Sequence, residues 1–438
     1  MAGRIRNYFR EDNFFDIPES GDIFPLKFIC IEFSKYGANL SAENYVTEGS
    51  RFIRTSDIDD NGKLSEEGVY IDEQLVEEYK LKESDFLISR SGTLGRGYLY
   101  NSNDGLCSYA GYLVKYSLNQ VMVNPKFIFY STKTNQFENW LKYSVIEATI
   151  GNINGEKYAN LPIPVPSLTQ QNKIVDYLND EIAKIDALIE KKIQLLAALE
   201  EKKKAIINQA VTKGLDTKIS MKDSGIEWLG EVPEHWGLER LKFLTIKIGS
   251  GVTPSGGAEV YTDEGVLFLR SQNVYNDGLH LEDETYISEN VHNNMKSSQV
   301  KTNDLLLNIT GGSIGRCYYF DLDIQANVNQ HVCILRVNDK IFYRYLHFTL
   351  ISFIGQFQID LLQYGGGREA ISFENIKNFW VPLPSFDNQK HIVDILEKEC
   401  AKFDSIISKV TEAKSLLQEK RTAIISAAIN GELNSKLS

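Results

Sequence analysis

The chain repeats itself, and that constrains its fold more than any other feature. Phe52, Arg54, Asn61-Gly62 and Leu64 recur as Phe268, Arg270, Asp277-Gly278 and, less closely, His280, at a constant offset of 216. Asp85-Phe86-Leu87-Ile88, followed by Ser91-Gly92-Thr93-Leu94-Gly95-Arg96, recurs as Asp304-Leu305-Leu306-Leu307 followed by Thr310-Gly311-Gly312-Ser313-Ile314-Gly315-Arg316, with one glycine inserted. A third block aligns without gaps at an offset of 218: Pro164-Val165-Pro166-Ser167 with Pro382-Leu383-Pro384-Ser385, then Ile174-Val175-Asp176 with Ile392-Val393-Asp394. Three blocks in one order and at nearly one spacing imply a duplicated folding unit, not a chance likeness of turns. With 438 residues, two domains and their connections account for the length.

Each Pro-x-Pro-Ser stretch reads as a domain exit, because proline cannot continue a helix but sits well just ahead of one. About 45 residues without proline or interior glycine follow each exit. Leu178, Ile182, Ile185, Ile189, Leu196, Leu199, Ile206 and Ala210 fall in steps of three and four, counting through Lys192 and Lys203. Leu396, Cys400, Phe403, Ile407, Val410, Leu417, Ile424 and Ala428 repeat those steps, counting through Lys414 and Arg421. This is a heptad seam, and at about 1.5 Å per residue each helix would run roughly 60 Å. Neither helix buries its seam alone, so an antiparallel pairing of the two is expected. Lys203 and Arg421 interrupt the seams at equivalent positions, either fixing register or lying solvated at the seam edge. Gly214 and Gly431 read as C-terminal stops.

The expected fold is therefore α+β: two similar globular domains separated by two long antiparallel coiled-coil helices, with pseudo-twofold internal symmetry. The expected boundaries are 1–166 for the first domain, 167–214 for the first helical region, 215–384 for linker and second domain, and 385–431 for the second helical region. Within each domain the apolar runs are short and punctuated by Gly, Asn and Asp, as strands of a sheet are. Helices are expected over 125–143 and 341–362.

Composition narrows the function classes. Hydrophobic residues make up 42% and charged residues 24%, and no run approaches the roughly 20 apolar residues that cross a bilayer. No membrane association and a cytoplasmic location are expected. The five cysteines, Cys30, Cys107, Cys317, Cys333 and Cys400, are scattered and fit neither a disulfide framework nor a zinc knuckle. His331 and Cys333 stand as alternate residues of a strand, without a second ligand pair, and no metal site is expected. Net charge is −12. Residues 1–165 hold 17 basic and 23 acidic side chains, and residues 223–380 hold 12 and 20. Such domains do not coat DNA by charge; contact with it would rest on a few placed Arg and Lys side chains, with a partner supplying much of the phosphate contact.

These residues bring a resemblance into view. The exits followed by Gln-x-x-Ile-Val (Gln171 to Val175 and Gln389 to Val393), the Ala-Lys-Ile-Asp stretch at Ala183 to Asp186 matched at Ala401 to Asp404, and the Lys-Lys-Lys-Ala-Ile-Ile run at Lys202 to Ile207 resemble the specificity (S) subunits of Type I restriction-modification systems. The linker from Asp223 to Gly230 and on to Pro233-Glu234-His235-Trp236 looks like that family's entry into a recognition domain; ahead of the first domain only a degenerate Ile17-Pro18-Glu19-Ser20 stands. The resemblance implies two target recognition domains that each read half of a bipartite double-stranded DNA sequence, with helix length setting the gap. It implies helices that dock two methyltransferase (M) subunits, and motor-nuclease (R) subunits beyond them. S-adenosylmethionine, ATP and magnesium would then belong to the partner subunits, with no cofactor in this chain.

No motif for chemistry emerges. Asn124-Pro125-Lys126-Phe127 has lysine where a methyltransferase turn needs its second proline, and reads as a helix start. The glycine turns at 92–97 and 311–315 lack the Gly-Lys-Ser/Thr ending of a phosphate loop. A non-catalytic DNA-binding chain is expected. A self-contained DNA-modifying enzyme is opposed by the missing motifs, while a coiled-coil scaffold that binds only proteins would suit the acidic domains. Base-reading candidates are the side chains whose donors match base edges: Arg54 and Arg270 beside equivalent turns, Ser91, Thr93 and Arg96 with Ser313 and Arg316 in the glycine loops, and Arg368 after the glycines of 365–367. The duplicated arginines are equally readable as shared framework. The 151–157 loop, ending in Lys157, is the counterpart of the Arg368 loop. Two domains reading unlike half-sites should differ in their readers, which favours the nonequivalent Arg90, Asn152, Asn154 and Gln363.

Overall fold

The computed structural model describes residues 22–146, 152–216, 218–254, 260–363 and 370–433. The chain divides into two compact units, residues 1–193 with 411–438, and residues 194–410. Each unit holds one globular domain, the N-terminal half of the helix that follows it, and the C-terminal half of the other long helix.

In the first unit the central sheet runs Lys35–Tyr36, Leu113–Ser117, Asp85–Ser89, Gly97–Leu99, all antiparallel. Every residue of Asp85–Ser89 is buried, which is why its middle, Phe86-Leu87-Ile88, reads as an apolar run without alternation. A second sheet runs Tyr45–Val46, Tyr70–Ile71, Ser50–Ile53, Cys107–Tyr109, its last pair parallel. A ribbon pairs Asp22–Pro25 with Pro162–Val165; each of its two strands has one free edge, which accommodates prolines that a central strand would not.

The second unit has the same topology strand for strand. Its central sheet runs Thr245–Ser250, Val332–Val337, Leu305–Asn308, Cys317–Tyr319. The second sheet runs Tyr261–Thr262, Tyr286–Ile287, Val266–Leu269, Ala326–Val328, again with the last pair parallel, and Gly237–Arg240 pairs with Trp380–Leu383. The hairpin of Met221–Asp223 with Glu231–Pro233 belongs to the linker.

The helices expected over 125–143 and 341–362 are each two. Pro125–Ser131 is followed by Asn135–Ile146, and Tyr343–Ile351 by Phe353–Gln363. A hydroxyl makes each break: the Thr134 Oγ1 accepts from Phe137 N at 3.2 Å, and the Ser352 Oγ accepts from Ile354 N at 3.2 Å. A side-chain acceptor that caps a new helix competes with the backbone of the old one.

The long helices span Leu168–Thr212 and Phe386–Ile429. Ser167 and Ser385 start them, their Oγ atoms accepting from Gln170 N and Asn388 N at 3.3 and 3.4 Å. Gly214 and Gly431 follow their ends at φ of +77° and +83°. In the first unit Ile174, Val175, Leu178 and Ile182 share a core with Ile425, Ala428 and Ile429, and Arg421 Nε donates to Asp186 Oδ1 at 2.9 Å. Early residues of one helix thus meet late residues of the other, so the halves are antiparallel. The second unit repeats this with Ile392, Val393 and Leu396 against Ile207, Ala210 and Val211, and with Lys203 paired to Asp404. The two seam cations therefore each hold an aspartate of the opposite helix. Leu178 and Ile182, at most 5% exposed, contribute about 1.5–3 kcal/mol each by burial.

The joint between helix and domain is a buried glutamine in both units. Gln171 Nε2 donates to Pro166 O at 2.8 Å and Met122 O at 3.2 Å, while its Oε1 accepts from Asn124 N at 2.8 Å. Gln389 does the same with Pro384 O, Lys340 O and Phe342 N at 3.0, 3.1 and 2.7 Å. Among the described residues, no helix is long and apolar enough to cross a membrane.

Candidate nucleic-acid interface

The glycine loops leave the central strands at one end of each domain. In the first, Gly92 and Gly95 sit at φ of +73° and +77°; in the second, Gly311 and Gly315 sit at +70° and +87°, backbone that side chains with a Cβ rarely adopt. The inserted glycine of the second copy is taken up in a short 3₁₀ turn, Gly311–Ser313. Ser91 is half-buried and Thr93 exposed, with the Thr93 carbonyl accepting from Ser89 Oγ; Ser313 is half-buried and its carbonyl accepts from Arg316 N at 3.1 Å.

The duplicated arginines are tied into the fold. Arg54 Nη2 and Nε donate to the buried Asp57 carboxylate at 2.7 and 3.0 Å, and the Arg54 guanidinium lies 5.9 Å from the Tyr45 ring centre. Hydrogen bonding to Asp57 holds the guanidinium more firmly protonated than usual. Arg270 Nη2 donates to Asp283 Oδ2 at 2.9 Å and to the Asp283 carbonyl at 3.1 Å. Arg96 reaches the turn after the second sheet, donating to Ile58 O at 2.8 Å and pairing with Asp60. Arg316 reaches the corresponding turn and lies 4.4 Å over Tyr275, which stacks on His280 at 4.0 Å. Arg96 and Arg316 thus serve the same junction in both copies, whereas Arg54 and Arg270 share only the backbone N–H bond to the residue three on and send their guanidiniums to different aspartates.

Arg96 also lines a cleft of about 960 Å³ confined to the first unit, with Lys133, Asp186 and Arg421. Lys133 Nζ donates to Asp60 O at 2.8 Å. Burial, reinforced by Arg421, pushes its pKa down to about 8.

The nonequivalent candidates divide. Asn154 caps the helix Gly155–Ala159 by accepting from Lys157 N at 2.8 Å, and Lys157 Nζ donates to Ser144 O at 3.0 Å. Ser372 caps Phe373–Lys377 in the same way, so Asn154 shares a framework task with its counterpart. Gln363 ends the helix Phe353–Gln363, half-buried. Arg368 lies outside the described residues. Arg90 and Asn152 come together: Arg90 Nε donates to Asn152 Oδ1 at 3.3 Å, and the guanidinium lies 4.7 Å over the Tyr36 ring. The Tyr36 hydroxyl accepts from Gly155 N at 2.9 Å, which seats the 152–155 turn against the sheet. Tyr36, 43% exposed, completes this cluster, and Tyr112, 62% exposed, adjoins it through its carbonyl, which accepts from Arg90 N at 3.0 Å; neither was among the residues singled out from sequence. The signal for Tyr112 was available in the repeat, since it aligns with His331 in the register that aligns Asp85 with Asp304.

Comparison with known proteins gives these domains a context. The profile of the Type I restriction modification DNA specificity domain matches twice, over residues 13–198 and 243–413. The chain is 25% identical over 361 residues to the Type I restriction enzyme MjaVIII specificity subunit of Methanocaldococcus jannaschii, covering 81% of this chain and 80% of that one. It is 23% identical over 375 residues to the Type I restriction enzyme EcoBI specificity subunit of Escherichia coli, covering 84% and 77%. In fold it is similar to a chain from a solved structure concerned with complex assembly and conformational transition of the type I R-M system, at a TM-score of 0.71 and 16% identity, covering 96% of this chain and all of that one.

Proposed function

Because the chain belongs to the family of Type I restriction modification DNA specificity domains, we propose that it is the sequence-reading subunit of a Type I restriction-modification enzyme, each of its domains reading one half of a bipartite duplex target. The observation that carries this is the duplication itself. Two domains share topology strand for strand, with Arg96 and Arg316 reaching corresponding turns, yet differ in side chains at the sheet end. Common framework with unlike exposed groups is what two heads reading different half-sites require.

The long helices are the docking surface for two methyltransferase subunits, one per repeat. Leu188 and Ile406 support this: they stand at equivalent positions and are 47% and 45% exposed, an apolar surface that repeats where the repeat does. Methyl transfer from S-adenosylmethionine and cleavage driven by ATP with magnesium belong to partner subunits, and this chain contributes recognition and assembly. The test is to purify the chain with its methyltransferase subunits and measure retention of duplexes of differing sequence over a range of salt. Retention of one bipartite sequence over scrambled controls is expected. Equal retention of every sequence at every salt would overturn the reading.

A further inference from the structure

At the loop end of the central sheet the two repeats keep one backbone and part company in side chains. In the first, the Arg90 N–H donates to Tyr112 O at 3.0 Å and the Arg90 carbonyl accepts from Ile153 N at 3.0 Å. In the second, the Ile309 N–H donates to His331 O at 3.0 Å and the Ile309 carbonyl accepts from Ile371 N at 2.9 Å. The neighbouring strand ends match as well. Gly37 and Gly251 donate to Leu113 O and Val332 O, and a Cβ on either glycine would fall within 2.5 Å of two backbone carbonyl oxygens. Arg90 therefore occupies the place of Ile309, and Tyr112 that of His331.

The groups that differ are those able to meet a base edge. The Arg90 guanidinium lies 4.7 Å over the Tyr36 ring and is tethered through Nε to Asn152, and its two terminal nitrogens have no hydrogen-bonded partner among the described residues. Stacking and the tether fix the fork before any ligand arrives, so little side-chain freedom remains to be lost. Two parallel N–H donors match O6 and N7 of guanine in the major groove. In the second domain an apolar side chain stands at that place, and polar groups come from the adjoining loops. His331 lies between Thr310 Oγ1 and Gln330 Nε2, and the Thr253 hydroxyl meets the Gln330 amide.

We infer that this end of the central sheet is the base-reading face of each domain, with Arg90 reading a guanine in the first domain's half-site and the Gln330–His331 cluster reading the second half-site without an arginine. The inference rests on the specificity reading above and adds which atoms do the reading. An arginine fork would also suit a backbone phosphate, but losing a phosphate contact weakens binding to all sequences alike, whereas losing a base contact relaxes one position.

The experiment selects bound duplexes from a randomised library, using the full chain purified with its methyltransferase subunits. Wild type, Arg90→Lys, Arg90→Ala, Tyr112→Ala and Gln330→Ala are compared. Wild type should return one bipartite sequence. Arg90→Lys, which keeps the charge and loses the fork, should lower discrimination at one G·C pair of one half-site roughly 10- to 100-fold, leaving the other half-site unchanged. Arg90→Ala and the surface change Tyr112→Ala should affect that same half-site, and Gln330→Ala only the other. Unaltered selection by all variants overturns the inference, as does an even loss across both half-sites. A wild type that selects no sequence overturns instead the specificity reading on which it rests.

Discussion

Arg54 and Arg90 lie in one domain and put the same group to different uses. The Arg54 guanidinium is spent on the buried Asp57, 5% exposed in its side chain, and an equivalent arginine braces the other copy. Arg54→Ala should destabilise its domain by about 1–2 kcal/mol, because Asp57 loses a charged donor, while leaving the selected DNA sequence unchanged. Urea unfolding together with library selection checks both halves of this expectation. His347 presents a different case. It is fully buried among Tyr318, Tyr319 and Phe348, and burial pushes its pKa down from 6.5 to about 3. The folded ring is neutral, whereas the unfolded chain takes up a proton below pH 6.5. Its contribution is therefore fully present above pH 6.5 and declines toward pH 3, by about 1.4 kcal/mol per pH unit. His347→Phe should remove that component of the slope when unfolding free energy is followed from pH 7 to pH 4; an unchanged slope would show that other groups set it.

Among the elements, the long helices were the most legible in sequence and the short ones the least. A heptad step is a property of one helix and its spacing, so Leu178 to Ala210 announced their buried face without any tertiary knowledge. The proline exits did likewise. The breaks at Thr134 and Ser352 were not legible, since a hydroxyl serves equally inside a helix or at its start, and only the surrounding fold decides. Gln171 and Gln389 were visible as repeated residues, but their work, three hydrogen bonds each with two of them across some 50 residues of sequence, needed the folded partners. Gln171→Ala leaves two carbonyls and one N–H without their buried partner and should lower stability by about 2–5 kcal/mol. Hydrogen exchange should show the loss first at the start of the Leu168–Thr212 helix and around Asn124. Arg90 illustrates the same limit at the candidate site: its difference from Ile309 could be read from the repeat, whereas the Tyr36 ring beneath it comes from a strand separated in sequence by more than the length of either sheet's hairpins.

The whole chain carries a net charge of −12, so its affinity for a polyanion has to come from placed groups and from what assembles with it. The logarithm of the binding constant should fall less steeply with the logarithm of salt for the chain alone than for the chain with its methyltransferase subunits, by roughly 0.9 for each phosphate the partner neutralises. Filter retention over a salt series measures both slopes; equal slopes would place the phosphate contacts on this chain instead. The duplication was readable without coordinates because framework residues recur, and the difference at Arg90 was readable against it; the joining of Arg90 to Asn152 and Tyr36 was not, because those contacts exist only in the fold.

The peptide at Arg90 is held on both sides by backbone groups, and its counterpart holds an isoleucine in the same grip. A position fastened by its main chain accepts almost any side chain without cost to the architecture. New recognition can then arise by a single codon change in one domain while the other keeps its preference, so the molecule can alter half of what it distinguishes at a time and remain folded throughout.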